Sequence, residues 1–385
     1  MNKPIRVLIV EDSEDDTLLL LHELRRAGYD PIYRRVETAG DMVAALEHEP
    51  WDIVTADHTM PHFNSTEALQ ILQKWNRDIP FIVVSGTIGE DAAVAAMKAG
   101  AQDYLIKGNL ARFVPAVERE IVDAGHRRRQ RELEWKLLAQ HEQLHIAREI
   151  QQRLFPPSEL RLENFEIAGM SIPADETGGD YFDYIPMPEK HHGVVIGDIT
   201  GHGLGAALLM AEVHVCFRTL AEHCIDASEI FQRANQLTKE DFGNYRFLTV
   251  LFACLHPPTR SLVYLNAGHP TGYVLNRDGT VRVELKSSDM PLGVHPLANF
   301  APTRSVQLKT DDVVVLLTDG VLSAFVTPDD PTGDRQALAI VRRHRDQSAI
   351  QIVEELCGSA HAADTSSVEE QDDITAVVLK VKAAA

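Results

Sequence analysis

The 385 residues include 57 Asp and Glu against 37 Lys and Arg, a formal net charge of −20. So acidic a chain argues against nucleic acid, whose binding needs a basic surface to displace counterions, and against docking on anionic lipid. At 44% hydrophobic residues the chain can build full cores, and its length suggests two domains and a connector. Cys216, Cys224, Cys254 and Cys357 form no Cys-x-x-Cys pair and no zinc spacing, so buried free thiols in a reducing compartment are expected. The opening MNKPIRVLIVEDSEDD turns acidic before a signal-peptide core can form, and no apolar run reaches membrane-spanning length. A cytoplasmic protein is expected, with no membrane partner.

Residues 5 to about 125 alternate short apolar runs with helical stretches. Ile5–Val10 is too short for a buried helix and reads as a buried parallel strand. A helix follows over about 15–27. Further strands are predicted near Ile32–Val36, Ile53–Ala56, Phe81–Ser85 and Asp103–Leu105, with helices near 39–48, 65–76, 90–99 and 110–125. Five βα units with short links predict an α/β doubly wound domain, a five-stranded parallel sheet covered on both faces. The stretch 118–156 has one glycine and no proline before Pro156-Pro157, which end it. Leu133, Leu137, Leu144, Ala147 and Leu154, with Gln140 and Gln151, recur at alternating spacings of three and four. They predict a helical linker that pairs as a dimeric coiled coil; a single amphipathic connector is the alternative.

From 157 to 385 strand-like runs dominate: Gly193–Ile196, Phe247–Leu255, Leu262–Asn266, Gly272–Leu275, Val281–Leu285, Val313–Leu317 and Thr375–Val381. Helices are expected near 204–223, 227–240 and 336–357, and loops over 286–303, 327–334 and 361–371. The grouping predicts an α+β domain, a β-sandwich flanked by helices.

Ligand sites of doubly wound sheets form at the carboxyl ends of the strands. Glu11 and Asp12 follow the first strand, Asp57 the third, Ser85 the fourth, and Tyr104 and Lys107 lie on and after the fifth. Three carboxylates on one edge repel one another and call for a hard cation such as Mg²⁺. With a lysine ammonium, that cation can neutralise a phosphoryl group transferred to an aspartate oxygen. Singly, each residue reads as a helix cap or a solvated loop residue; the conjunction across the strand ends is what points to chemistry. Residues 3–125 resemble response-regulator receivers of the CheY-like kind. The resemblance implies phosphorylation of Asp57 by a histidine kinase or phosphotransfer protein. It also implies Mg²⁺ on Asp12, Asp57 and the Thr59 carbonyl with Glu11 assisting, a switch pair Ser85 and Tyr104, and phosphate contact from Lys107. The segment HTMPHFNSTEAL after Asp57 lacks the glycines often found there.

The second half carries four acidic motifs: GGDYFD (178–183), GDITGHG (197–203), LLTDGV (316–321) and DDIT (372–375). Alone each is a common turn. Carboxylates converging from distant strands, without His or Cys at ligand spacing, favour Mg²⁺ or Mn²⁺ over zinc. Two such ions can share and activate a water and screen a phosphate. With EIQQRLFP, FLTVLFACL, NAGHP and MPLG, these motifs resemble the SpoIIE/RsbU-like branch of metal-dependent, protein phosphatase 2C-like serine/threonine phosphatases, over about 145–382. The resemblance implies Asp180, Asp198, Asp319 and Asp372 as catalytic, metal-binding acids, with the Ile199 carbonyl as a further ligand. Asp372 is favoured over its neighbour Asp373, and Ser323 and Ala324 stand where an acid often follows TDG. GGDYF also resembles the diguanylate-cyclase signature, but Tyr181 replaces the acid that cyclase chemistry would use.

Three functions compete. The first is a response regulator whose Asp57 phosphorylation controls a serine/threonine phosphatase acting on a phosphoprotein, by family resemblance a phosphorylated anti-sigma-factor antagonist or similar regulator. The second is a non-enzymatic adaptor of phosphatase shape, and the third a cyclase. A homodimer through the linker is expected to carry the signal.

Overall fold

The computed structural model describes residues 2–75, 78–86, 90–242, 246–300, 304–364 and 371–383. It divides into two compact units, Met1–Ala139 and Gln140–Ala385.

In the first unit the apolar runs become β1 (Lys3–Val10), β2 (Tyr29–Val36), β3 (Ile53–Asp57), β4 (Phe81–Ser85) and β5 (Asp103–Ile106). They form one parallel sheet in the order β2-β1-β3-β4-β5. Helices α1 (Glu14–Arg26), α2 (Ala39–His48), α3 (Ser65–Lys74) and α4 (Glu90–Ala99) connect the strands; the end of the helix expected to reach 76 lies outside the described residues. Ser13, Thr38 and Asn64 cap the first three helices, each side chain accepting a backbone N–H of the first turn. Two buried clusters lie on the sheet's two faces, as strands covered on both sides require.

Helix α5 runs from Phe113 to Gln152, with Pro115 tolerated in its first turn. Its basic segment is not a free linker. Arg127 makes a two-pronged contact with the Asp78 carboxylate (2.9 and 3.0 Å), Arg128 donates to the Asp78 carbonyl (3.0 Å), and Arg131 pairs with the same carboxylate. Residues of the expected 118–156 linker therefore fasten the helix to the segment that precedes β4.

The second unit is a sandwich of two antiparallel sheets. One is ordered β14-β11-β10-β9-β8 and the other β13-β12-β15-β16-β7-β6. The strands are β6 (Glu159–Leu162), β7 (Phe165–Ile172), β8 (Tyr181–Pro186), β9 (His192–Ile199), β10 (Leu248–His256), β11 (Ser261–Ala267), β12 (Gly272–Leu275), β13 (Val281–Leu285), β14 (Arg304–Gln307), β15 (Val313–Leu317) and β16 (Ile374–Val381). A core containing Phe182, Ile196, Leu251, Leu316 and Val377 fills the space between the sheets. Helices α6 (Leu204–His223) and α7 (Ala227–Phe242) share a second core with the first sheet. Helices α8 (Asp319–Ser323), α9 (Asp334–His344) and α10 (Ala349–Asp364) share a third with the other.

Several expectations are corrected. The single helix at 336–357 is two helices, because Ser348 starts α10 with a reciprocal cap: its N–H reaches Gln351 Oε1 (3.0 Å) while the Gln351 N–H reaches Ser348 Oγ (3.4 Å). Residues 361–364, expected in a loop, end α10; 301–303 and 365–370, in two expected loops, lie outside the described residues. Strands β6, β7, β8 and β14 were not anticipated. Helix α6 is long and apolar enough to cross a membrane, contrary to the composition reading. Its Ala206, Met210, Val213, Phe217 and Ala221 are buried in the domain, as in a core helix. Two positions of the expected seam are taken up by the second unit instead: Gln151 is buried there and Leu154 packs on its core. Leu133 and Leu137 stay exposed. All four cysteines are free, but only Cys254 and Cys357 are buried.

Candidate functional site

Glu11, Asp12 and Asp57 leave the ends of β1 and β3 with one ligand atom each, all within 4.8 Å of one another. Lys107, just past β5, reaches into this group. Its Nζ lies 2.8 Å from Glu11 Oε2, 2.8 Å from Asp57 Oδ2 and 2.5 Å from Asp16 Oδ2. Burial pulls this ammonium's pKa down, but the hydrogen bonds to Asp16, Asp57 and Glu11 outweigh it and hold the group above the ordinary lysine range. Burial raises the Glu11 carboxyl, and hydrogen bonds from Lys107 and the Ser13 N–H oppose that rise. Asp16 was missed in sequence because its position in the first turn of α1 reads as a helix-dipole acid.

Ser85 is buried at the end of β4, and its carbonyl accepts the Lys107 N–H (2.8 Å). Tyr104 turns its ring edge-on to His58, with centroids 6.2 Å apart. The Thr59 N–H donates to Asp57 Oδ1 (3.2 Å). The glycine-poor loop after Asp57 has a simple explanation: none of residues 58–64 adopts a positive φ, so no glycine is required. Met60 and Phe63 of that loop are buried.

In the second unit Asp180 stands immediately before β8, Asp198 is the penultimate residue of β9, Asp319 starts α8, and Asp372 lies just before β16. Asp180 is buried, Asp198 half-buried, and Asp319 and Asp372 exposed at the rim. Their charges are felt mutually. Burial, then Asp198 and Asp373, raise the Asp180 carboxyl well above the usual carboxylate range. Burial, then Asp319, Asp372 and Asp373, push Asp198 up to about 7. Burial and Asp319 raise Asp372. Among the described residues none of these four pairs with a Lys, Arg or His. Carboxylates that feel one another's charge and have no paired cation suit hard divalent ions; among the described residues, however, only Glu11, Asp12 and Asp57 bring three ligand atoms within 4.8 Å of one another, and no three of these four acids come that close.

Asp373, the alternative to Asp372 as a ligand, is hydrogen-bonded to backbone. Its carboxylate accepts the N–H groups of Ala174 (2.8 Å), Gly179 (2.6 Å) and Asp180 (3.3 Å). Adjacent residues entering a strand face opposite ways, so as Asp373 turns inward Asp372 stays at the rim. The paired glycines of GGD follow from this crowding. A Cβ on Gly178 would collide with the Asp373 carboxylate, and one on Gly179 would lie 2.7 Å from the Ile199 carbonyl oxygen and 3.3 Å from that of Gly201. The Ile199 carbonyl is thus brought against the GGD loop.

Thr318 was also missed. Its hydroxyl donates to Asp180 Oδ2 (2.9 Å) and accepts the Thr375 N–H (3.0 Å), joining three of the acidic motifs. Thr249, opposite Asp198 in the ladder, lies 3.1 Å from Nδ1 of His269 in NAGHP. Burial drives that imidazole down to about 3, so it is neutral. His202 of GHG is exposed beside Asp175 (3.4 Å). Ser323 donates to the Gly320 carbonyl (3.1 Å). Tyr181, the residue that separates this motif from a cyclase signature, is fully buried and donates to Asp183 Oδ2 (3.2 Å).

Family models for the response regulator receiver domain and for stage II sporulation protein E (SpoIIE) match residues 7–118 and 188–382. The phosphoserine phosphatase RsbU of Bacillus subtilis is 24% identical over 241 residues, covering 62% of this chain and 70% of RsbU. Protein IcfG of Synechocystis is 23% identical over 344 residues, covering 82% of this chain but only 49% of IcfG. Among solved structures the SiaA-PP2C domain of Pseudomonas aeruginosa superposes with a TM-score of 0.54 at 19% identity, covering 64% of this chain and 99% of that domain. Fold and acidic sites together define a receiver domain followed by a phosphatase domain of the PP2C-like serine phosphatase type. The chain belongs to the SpoIIE family, its residues 188–382 matching the family model over half its length.

Proposed function

We propose that the chain is a response regulator in which phosphorylation of Asp57 controls a divalent-metal-dependent phosphatase acting on phosphoserine or phosphothreonine of a partner protein. The observation that carries the enzymatic half is a set of four acids with no paired cation among the described residues: burial and neighbouring carboxylates raise Asp180, Asp198 and Asp372, and Asp319 is among the charges that raise Asp198 and Asp372. Two Mg²⁺ or Mn²⁺ ions held by these acids and the Ile199 carbonyl would supply charge neutralisation and water activation. The chain's own residues fix the acids. Thr318 orients Asp180, and Asp373, which we assign to staple the backbone rather than to bind metal, holds the loop that presents it. RsbU's name as a phosphoserine phosphatase supports the substrate class. A phosphorylated anti-sigma-factor antagonist is the substrate we favour.

On the receiver side Mg²⁺ would sit among Glu11, Asp12, Asp57 and the Thr59 carbonyl, with Lys107 placed to meet phosphoryl oxygens and Ser85 and Tyr104 as the switch pair. The donor would be a histidine kinase or phosphotransfer protein. The exposed Leu133 and Leu137 of α5 are offered to a second copy as a short parallel coil, and we assign the protein to the cytoplasm. The test is hydrolysis of p-nitrophenyl phosphate with Mn²⁺, with and without acetyl phosphate as phosphodonor. Activity lost in Asp198→Ala, and a phosphodonor response lost in Asp57→Asn, are expected. Absence of activity in both states of the wild type overturns the enzymatic reading.

A further inference from the structure

The motif EIQQRLFP at the end of α5 has so far been given no task. Within it Gln151 is 7% exposed, unusual for a glutamine on a helix whose neighbours Ile150 and Gln152 are solvent-exposed. Its carboxamide is matched to one residue, Gly178, the first glycine of GGD. Gln151 Nε2 donates to the Gly178 carbonyl (2.6 Å), and the Gly178 N–H donates to Gln151 Oε1 (3.2 Å). A primary amide that takes both the N–H and the C=O of a single residue fixes that peptide in position and in rotation, as a neighbouring strand would.

The opposite side of the same loop is held by Asp373, through the N–H groups of Gly179 and Asp180. No slack remains between the two clamps, since neither glycine has room for a Cβ. Glu176, two residues before Gly178, draws on the same helix through Arg148 (3.4 Å) and His141 (3.6 Å). Asp180 follows Gly178 by two residues. The last turn of α5 therefore holds one side of the peptide that presents the most buried acid of the cluster.

We propose that Gln151 is a positioning residue: by clamping Gly178 it sets the Asp180 carboxylate for divalent-cation binding, so that displacing the end of α5 lowers metal affinity without dismantling the domain. This rests on the reading of Asp180 as a metal-binding acid. The helix that presents Gln151 is covalently continuous with the receiver unit, so the clamp lies where a signal travelling along α5 would meet the active-site loop.

The experiment uses the full chain with Mn²⁺ as probe and two readouts: calorimetric Mn²⁺ binding, and hydrogen exchange resolved at peptides covering 176–180. Gln151→Met keeps length and helix propensity but removes both hydrogen bonds. It is expected to weaken Mn²⁺ binding about tenfold, the order set by one or two lost buried hydrogen bonds. Exchange at Gly178 and Gly179 should accelerate while the strands of the sandwich keep their protection. Gln151→Glu retains the acceptor for the Gly178 N–H but sets a carboxylate against the Gly178 carbonyl, and is expected to weaken Mn²⁺ binding as well. If it does not fold at neutral pH, the Met variant decides alone. The proposal is overturned if Gln151→Met binds Mn²⁺ as wild type does, or if exchange accelerates throughout the domain, which marks a merely structural residue. Asp180→Asn separates the two levels: Mn²⁺ binding unchanged in that variant refutes Asp180 as a ligand, whereas loss there with wild-type binding in Gln151→Met refutes the clamp alone.

Discussion

At the scale of single residues the most telling feature is a carboxyl group that titrates near neutrality. Asp198 is pushed up to about 7 by burial and then by Asp319, Asp372 and Asp373, so a divalent ion must displace a proton to bind it. Mn²⁺ affinity should therefore fall by up to about tenfold per pH unit below 7 and level off above pH 8, measured by titration at pH 6, 7 and 8. A flat profile would remove Asp198 from the set of ligands. The sign for stability follows from the same shift. The folded metal-free protein holds a proton on Asp198 that the unfolded chain releases near 3.8, so this group's contribution falls as pH rises through the window from about 4 to 7. His269 acts in the opposite sense. Its folded value near 3 lies below its unfolded 6.5, so the stability it contributes is lost as pH falls through that interval.

At the scale of elements, β8 and α6 are joined by an ion pair whose acid is buried and whose Arg218 side chain is exposed. Asp183 is fully buried and takes Arg218 in a two-pronged contact of 2.6 and 2.7 Å, together with the Tyr184 N–H (2.7 Å) and the Tyr181 hydroxyl. Removing Arg218 leaves the Asp183 carboxylate with the Tyr181 hydroxyl, the Tyr184 N–H and the nearby His214, at a cost of about 1–3 kcal/mol. Arg218→Ala should show that loss by chemical denaturation, whereas exposed Arg161→Ala should cost about 1 kcal/mol or less. Equal effects would mean that Asp183 finds another partner or water. Because β8 begins directly after Asp180, and α6 follows the GDITGHG loop, the same pair ties together two elements that present candidate ligands.

At the scale of the whole molecule, α5 is the element shared by both units, and different stretches of it do different work. Arg127, Arg128 and Arg131 fasten it at Asp78, Gln151 and Leu154 dock it in the second unit, and Leu133 and Leu137 between them remain exposed. Under the proposed dimeric coil, replacing both leucines with glutamate should convert the dimer to a monomer in sedimentation and remove the proposed response to phosphorylation of Asp57. A variant that stays dimeric and responsive would show that the signal takes another route.

What could be read from the chain alone was whatever local physics dictates. Ile5–Val10 is too apolar and too short to be anything but a buried strand, and the carboxylates at 11, 12 and 57 fall at strand ends because a parallel sheet puts them there. The motifs around Asp180, Asp198 and Asp319 stood out because glycine beside an acid marks a tight turn. The split between α9 and α10 was legible in Ser348 and Gln351, but without Pro or Gly the helical periodicity hid it. Tertiary structure decided the remainder. The partners of Asp373 and Gln151 lie 193–199 and 27 residues away, and Thr318 meets Asp180 across 138. Which of two adjacent aspartates turns inward depends on the pleat of β16 against β7 and β15, not on the dipeptide itself. A neutral glutamine or threonine has no sequence signature for such work, because its value comes only from the groups that folding sets against it.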